Sequence, residues 1–106
     1  MRFIFVAHSV FPLTLIDPKM VEEPCLVITQ DAPLGRLARR RGFRAVVGPL
    51  DDTATYRRAR LAATDRILMH LHGKREIGQA LKAIFTQLPQ APVTFLLGLQ
   101  LSLIHI

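Results

Sequence analysis

Three short apolar runs, separated by two amphipathic stretches, occupy the middle of the chain from Cys25 to Leu71. The runs begin at Cys25, Phe43 and Ile67, and the stretches between them carry apolar residues at the three- and four-residue spacing of a helix. Parallel strands need long crossovers, and helices usually provide them. The alternation of strand, helix, strand, helix and strand therefore predicts a parallel α/β sheet.

Two further apolar runs, one near each end of the chain, extend this pattern. We predict a Rossmann-like, doubly wound parallel sheet of about five strands, in an α/β fold. Helices are predicted over 33–41, 53–63 and 74–88, and a short helix over 18–23 with Asp17 as its N-cap. The predicted strands lie near residues 2–7, 25–29, 43–47, 66–71 and 93–98.

The length of 106 residues, half of them apolar, allows one small domain with a single core. No window reaches the roughly 20 apolar residues of a membrane span, and the start of the chain lacks the features of a signal peptide. The single cysteine, Cys25, begins an apolar strand, and we interpret it as a core residue. We therefore expect a cytoplasmic location and no direct membrane insertion.

The chain is basic, with a net charge of +6 from 14 lysines and arginines against 8 acidic residues. The arginines are concentrated on the predicted helices 33–41 and 53–63. A basic patch can bind nucleic acid, but no aromatic residues are interleaved here for base stacking. We interpret the arginines as solvated helix faces and do not expect a nucleic-acid partner.

The carboxyl end carries an expectation of its own. Residues 101–106 match one reading frame of a transposon-end adaptor used in sequencing libraries. We therefore interpret 101–106 as a non-native tail and 1–100 as an incomplete domain, truncated at the C-terminus and forming the N-terminal part of a longer protein. The alternative is that 101–106 is a genuine apolar strand.

Histidines lie at the predicted carboxyl ends of two strands: His8 follows the first, and His70 and His72 end or follow the fourth. Ligands bind at this edge of open α/β sheets, so the histidines are candidates for a phosphate or metal site. The alternative is that polar residues simply gather at strand ends. No carboxylate–histidine pair at helix spacing supports zinc, and no motif of a P-loop or nucleophile elbow is present. We predict no metal site, no catalytic residues and no enzyme activity for this part of the protein.

A series of polar and glycine positions punctuates the chain between Val27 and Leu71. Its members are Thr29-Gln30-Asp31, Gly42, Gly48-Pro49-Leu50-Asp51-Asp52 and Thr64-Asp65. In this arrangement the chain resembles the TrkA-N (RCK-type) regulatory domain of potassium transport systems. The resemblance covers nearly all of residues 1–100, on motifs that many Rossmann-like domains share. It implies a non-catalytic domain that senses a nucleotide or associates subunits, forms a homodimer, and acts on a missing C-terminal domain or a transport subunit.

The same resemblance implies NAD as the cofactor, but the chain departs from each device that binds it. Ala7, Ser9 and Pro12 occupy the places of the glycine-rich turn, and Thr29 occupies that of the ribose-binding acid. Pro49 stands where the family has its first aspartate after the third strand. We therefore leave the cofactor unknown and expect a smaller ligand, a mononucleotide or phosphate, in place of NAD. The candidate ligand-binding residues are His8, Ser9, Thr29, Asp31, Gly48, Asp52, His70 and His72.

Two alternatives from other classes stay open. In one, the missing portion is an enzyme, such as a DHH-type phosphoesterase, and this domain is its degenerate N-terminal appendage. In the other, the chain is an NAD(P)-linked oxidoreductase, which the absent glycines disfavour.

Overall fold

The structure is a computed structural model that describes residues 2–96 and 103–105. Six strands and three α-helices are present in this part of the chain, together with a 3-10 helix at Phe11–Thr14. The strands are β1 (Phe3–Ala7), β2 (Cys25–Thr29), β3 (Arg44–Val47), β4 (Arg66–His70), β5 (Val93–Leu96) and β6 (Leu103–His105). The helices are α1 (Ala32–Arg40), α2 (Thr53–Ala59) and α3 (Lys74–Gln87).

All six strands belong to one sheet, in the order β3-β2-β1-β4-β5-β6. β1 to β5 are mutually parallel, which confirms the predicted Rossmann-like α/β fold with its five-stranded parallel sheet. β1 lies at the centre, where Phe3 pairs with Cys25 of β2 on one side and Arg66 of β4 on the other. The sheet has one addition to the prediction: β6 pairs antiparallel with β5 at the edge.

The central strands form because they bury apolar side chains on both faces, as parallel strands covered by helices do. On one face, the alternate residues Ile4 and Val6 pack with Ile84 in a core beneath α2 and α3. On the other face, Phe5 packs with Leu34 of α1, and its ring meets Phe43 edge to face at 6.0 Å. Two cores thus sandwich the sheet.

Cys25 is buried on the α1 face, as the sequence predicts. Burial raises the pKa of its thiol, and the nearby Glu23 carboxylate adds to the effect. The neutral thiol is therefore the form that packs in this core.

Helix α2 ends at Ala59, four residues before the predicted end at Ala63. Arg60 takes a left-handed conformation with φ 54°, and its carbonyl accepts a bond from Arg2 Nη2 at 3.0 Å. The Asp65 carboxylate then accepts the Ala62 amide at 2.7 Å, which forms a turn where the sequence predicts helix. In the predicted helix 53–63, Ala63 shares the buried stripe of Tyr56 and Ala59. This prediction was wrong for Ala63, because the turn leaves its side chain exposed.

The predicted helix over 18–23 was also wrong. The Asp17 carbonyl accepts the Met20 amide at 2.9 Å, and the Asp17 carboxylate accepts the Lys19 amide at 3.0 Å. Asp17 therefore caps a single turn, in the way an N-cap does, but no helix follows this turn. The crossover from β1 to β2 is therefore built from the 3-10 helix and this turn.

None of the helices within residues 2–96 has the length and apolar character needed to cross a bilayer. Residues 97 and 98, the predicted end of the last parallel strand, lie outside the described residues, as do 101, 102 and 106 of the predicted non-native tail.

Candidate functional site

The connection after β1 runs to β2 and the connection after β4 runs to β5, in opposite directions along the sheet. The carboxyl ends of β1 and β4, which are neighbours, therefore form the topological switch point. His8 and Ser9 follow β1 directly, and His70 ends β4. Ser9 Oγ lies 3.3 Å from His70 Nδ1. The ring of His72 lies 5.4 Å from that of His8 and 5.2 Å from that of His70, between centroids. These four residues, His8, Ser9, His70 and His72, are called the histidine cluster below.

The members of the cluster differ in burial because strand residues alternate between faces. His70 follows the register of Leu68, on the α1 face, and is only 5% exposed. The hydrogen bond with Ser9 fixes the orientation of its ring, and the direction of that bond depends on the tautomer of His70. His72 is exposed and is the member most open to solvent.

His8 follows the register of Ile4 and Val6 and therefore lies on the α3 face. Its Nε2 atom is 3.4 Å from the Glu76 carboxylate, which is ion-pair distance. The geometry is not that of a hydrogen bond, and Nε2 is a buried atom with no hydrogen-bond partner among the described residues. The Glu76 side chain is 59% exposed, so it can rotate to complete the bond or leave Nε2 to a ligand.

A polar cleft of about 210 Å³ extends from His8 across the carboxyl ends of β2 and β3. It is lined by His8, Gln30, Leu50, Asp51, Leu71, Glu76 and Gln79. The cleft therefore combines amide and carboxylate groups, which can accept hydrogen bonds from hydroxyl or amino groups.

Gln30 and Asp51 line the polar cleft, and the sequence interpretation did not select them. It selected their neighbours Thr29, Asp31 and Asp52, none of which lines the polar cleft. The alternation of β2 could have found Gln30, because Ile28 belongs to the core beneath α3 and Gln30 shares its register.

The other predicted ligand-binding residues serve local structure. Thr29 is fully buried, and its Oγ1 accepts the Asp31 amide at 3.1 Å where α1 begins. Its carbonyl accepts the Gly48 amide at 2.9 Å. Asp52 is the N-cap of α2, and its carboxylate accepts the Ala54 amide at 2.9 Å. The structure thus brings together four of the eight predicted residues, His8, Ser9, His70 and His72, and places the other four at turns and helix starts.

The residues after β1 do not fit an NAD pyrophosphate in the usual pose. That pose requires an α-helix whose first amides face the phosphates, and here a 3-10 helix follows β1. The α-helix that starts beside the histidine cluster is α3, whose N-cap is Gly73. Within residues 2–96, no group of three or more histidine, cysteine or acidic side chains is arranged to hold a metal ion.

Within the histidine cluster, burial and the bond to Ser9 hold the ring of His70. The N-terminus of α3 lies beside the cluster, and helix N-termini can bind anions. Comparison of the sequence with protein-family models gives no match, and comparison with curated proteins gives none either.

Proposed function

We propose that this domain is a non-catalytic regulatory module of the TrkA-N type that binds a small phosphate-bearing ligand, such as a mononucleotide, at the histidine cluster. The observation that carries the proposal is the meeting of His8, Ser9, His70 and His72 at the switch point of the sheet. Open α/β sheets bind their ligands at this place. Imidazole and hydroxyl groups can both donate hydrogen bonds to phosphate oxygens.

The start of α3 supports an anionic ligand. Its N-cap, Gly73, has no side chain to accept hydrogen bonds from the first helical amides, and its φ of 90° is a backbone conformation that favours glycine. Lys74 and Arg75 follow in the first turn together with Glu76, so the side chains of this turn carry a net positive charge, which is normally unfavourable because of the helix dipole. A bound phosphate would accept the free amides and offset this net charge.

The polar cleft limits the size of the ligand. Its volume of about 210 Å³ is below the roughly 300–1,000 Å³ of pockets that enclose drug-sized molecules. With the phosphate beside Gly73, one nucleoside could extend into the cleft, where Gln30 and Asp51 can accept hydrogen bonds from ribose hydroxyls. A dinucleotide would extend beyond it.

The regulatory output belongs to the same proposal. Ligand binding would be transmitted to a C-terminal domain or a separate potassium-transport subunit in the cytoplasm, with homodimerisation as the form in which two such modules act together. This proposal rests on the resemblance of residues 27–71 to TrkA-N domains together with the position of the histidine cluster.

Isothermal titration of the full chain with AMP, inorganic phosphate and NAD tests the ligand. We expect AMP to bind most tightly and NAD to bind at least tenfold more weakly than AMP. His72→Ala and Lys74→Gln should each weaken AMP binding by about three- to tenfold, because each removes one polar contact to the phosphate. Lys82→Gln, on the same helix but away from its N-terminus, is the matched control and should leave binding unchanged. NAD binding tighter than that of AMP, or AMP binding insensitive to both variants, would refute the proposal.

A further inference from the structure

A second concave surface lies against the core on the α1 face of the sheet. It is a groove of about 510 Å³ between the β1–β2 crossover and the carboxyl end of α1. Its lining includes the buried or half-buried Leu13, Ile16 and Phe43, called its floor, and the exposed cations Lys19, Arg40 and Arg41, called its rim. Thr14, Asp17 and Pro18 complete the lining. This surface is called the basic groove below. It shares no residue with the polar cleft.

The groove exists because the β1–β2 crossover contains no α-helix. The 3-10 helix Phe11–Thr14 and the turn closed by Met20 and Asp17 span the distance instead. A full crossover helix would cover the sheet continuously beside α1. This irregular connection leaves a gap between residues 13–19 and the last turn of α1.

The floor of the groove is apolar. Leu13 is 2% exposed and Phe43 is 4% exposed, so both belong to the α1-side core and present little surface of their own. Ile16 is half-buried and packs against the same core. The volume of about 510 Å³ lies within the range of ligand pockets, roughly 300–1,000 Å³.

The rim of the groove is positive. No ion pair joins Lys19, Arg40 or Arg41 to an acidic side chain within residues 2–96. The neighbouring Arg39 differs, because its guanidinium donates to the Ala45 carbonyl at 3.2 Å. The one acidic residue on the lining, Asp17, already accepts the Lys19 amide.

We infer that the basic groove is a binding site for an organic anion with an apolar body, of the class of medium-chain or aromatic carboxylates. The apolar body would lie against the half-buried Ile16, beside the core residues Leu13 and Phe43. The carboxylate would lie at the rim, where the planar guanidinium groups of Arg40 and Arg41 can each offer two parallel donors. This site is independent of the ligand proposed for the histidine cluster.

Isothermal titration of the full 106-residue chain with octanoate tests the site. We expect saturable binding with one octanoate per chain. Octylammonium, which has the same apolar body and the opposite charge, should bind at least tenfold more weakly, because it meets the cations of the rim. AMP should not displace octanoate, since the two sites share no residues. Equal binding of octanoate and octylammonium would overturn the inference, because the site would then recognise only apolar surface.

Substitutions of arginines in and next to α1 test whether octanoate binding depends on the rim itself or on the overall positive charge of the chain. Arg40→Gln and Arg41→Gln should each weaken octanoate binding by about tenfold, the scale of one lost charge-assisted hydrogen bond. Arg36→Gln is the matched control, because Arg36 is exposed on the same helix and does not line the groove. The octanoate affinity of this variant should equal that of the unsubstituted chain. Ile16→Ser should weaken binding with an unchanged circular dichroism spectrum.

An equal loss in Arg36→Gln and Arg40→Gln would overturn the inference. The same conclusion would follow if sedimentation showed a dimer that Arg40→Gln and Arg41→Gln dissociate, because a second copy would then be the occupant of the groove.

Discussion

Asp65→Ala is expected to lower the free energy of unfolding by about 3–4 kcal/mol. Asp65 is 4% exposed, and its carboxylate accepts bonds from Arg2 Nε at 3.2 Å and Arg2 Nη2 at 2.8 Å. It also accepts the Ala62 amide at 2.7 Å. The carboxylate therefore ties the residue before β1 to the turn before β4, at the point where the two central strands begin to pair.

The magnitude follows from the burial of the two partners. Removing one member of a buried ion pair costs about 3–5 kcal/mol, mainly through the charge left behind. The Arg2 side chain is 25% exposed, so its freed guanidinium recovers some hydration and the cost falls toward the lower limit. Asp65→Asn keeps an acceptor for the Ala62 amide but loses the charge, and we expect it to cost about 1.5–3 kcal/mol.

Urea unfolding followed by far-UV circular dichroism is the suitable assay, because the chain has no tryptophan. A double-mutant cycle with Arg2→Ala should give a coupling energy of about 1–3 kcal/mol. Glu22→Ala removes an exposed carboxylate and should change stability by less than about 0.5 kcal/mol. A cost below about 1 kcal/mol for Asp65→Ala is the value of an exposed pair and would refute the reasoning from burial.

Two further predictions concern helix glycines and the single tyrosine. Gly35→Ala should destabilise the fold by about 1–3 kcal/mol, because a Cβ there would lie 2.5 Å from Val47 Cγ2. Gly78→Ala, where a Cβ would meet nothing within 4 Å, should stabilise the fold by about 0.5–1 kcal/mol in the same urea assay. A change of stability with the same sign in both variants would contradict this reasoning. Tyr56 is fully buried and donates to the Leu50 carbonyl at 2.6 Å, and burial, aided by the Asp51 charge, raises its pKa. The folded state therefore keeps a proton that the unfolded state loses above about pH 10, so stability should be unaffected by this group below that pH and should fall as the pH rises beyond it. Tyrosinate absorbance at 295 nm reports this residue alone, and it should rise only together with loss of the helical circular dichroism signal; ionisation near pH 10 in a folded chain would show that the ring is accessible.

The sheet could be predicted from the sequence because its signals are local. Each parallel strand is a short run of apolar residues, and α1 carries its own start and stop signals in Pro33 and Gly42. The end of α2 could not be predicted in this way. Ala62 and Ala63 favour helix by local propensity, and the bonds that form the turn come from Arg2 and Asp65, one of which is distant in sequence.

The sequence could predict which edge of the sheet carries the candidate site, but not all of the residues that line its cleft. Strand ends identified His8, Ser9, His70 and His72, since all carboxyl ends of parallel strands meet at one edge of the sheet. The assignment of Thr29 by family position conflicted with the alternation of β2, which places Gln30 on the side of the cleft. The basic groove had no sequence signal, because it results from a crossover whose short helix was predicted and does not form.

The central position of β1 has a consequence for the order of folding. β1 pairs on one side with β2, which follows it soon after in synthesis, and on the other with β4, which is made much later. A nascent chain that ends before Arg66 therefore presents one side of its most apolar strand as an open edge, and open edges recruit other strands. Closing that edge requires a long-range contact, which makes it a slow step of folding. Synthesis through β4 is thus the point at which this edge can first be covered.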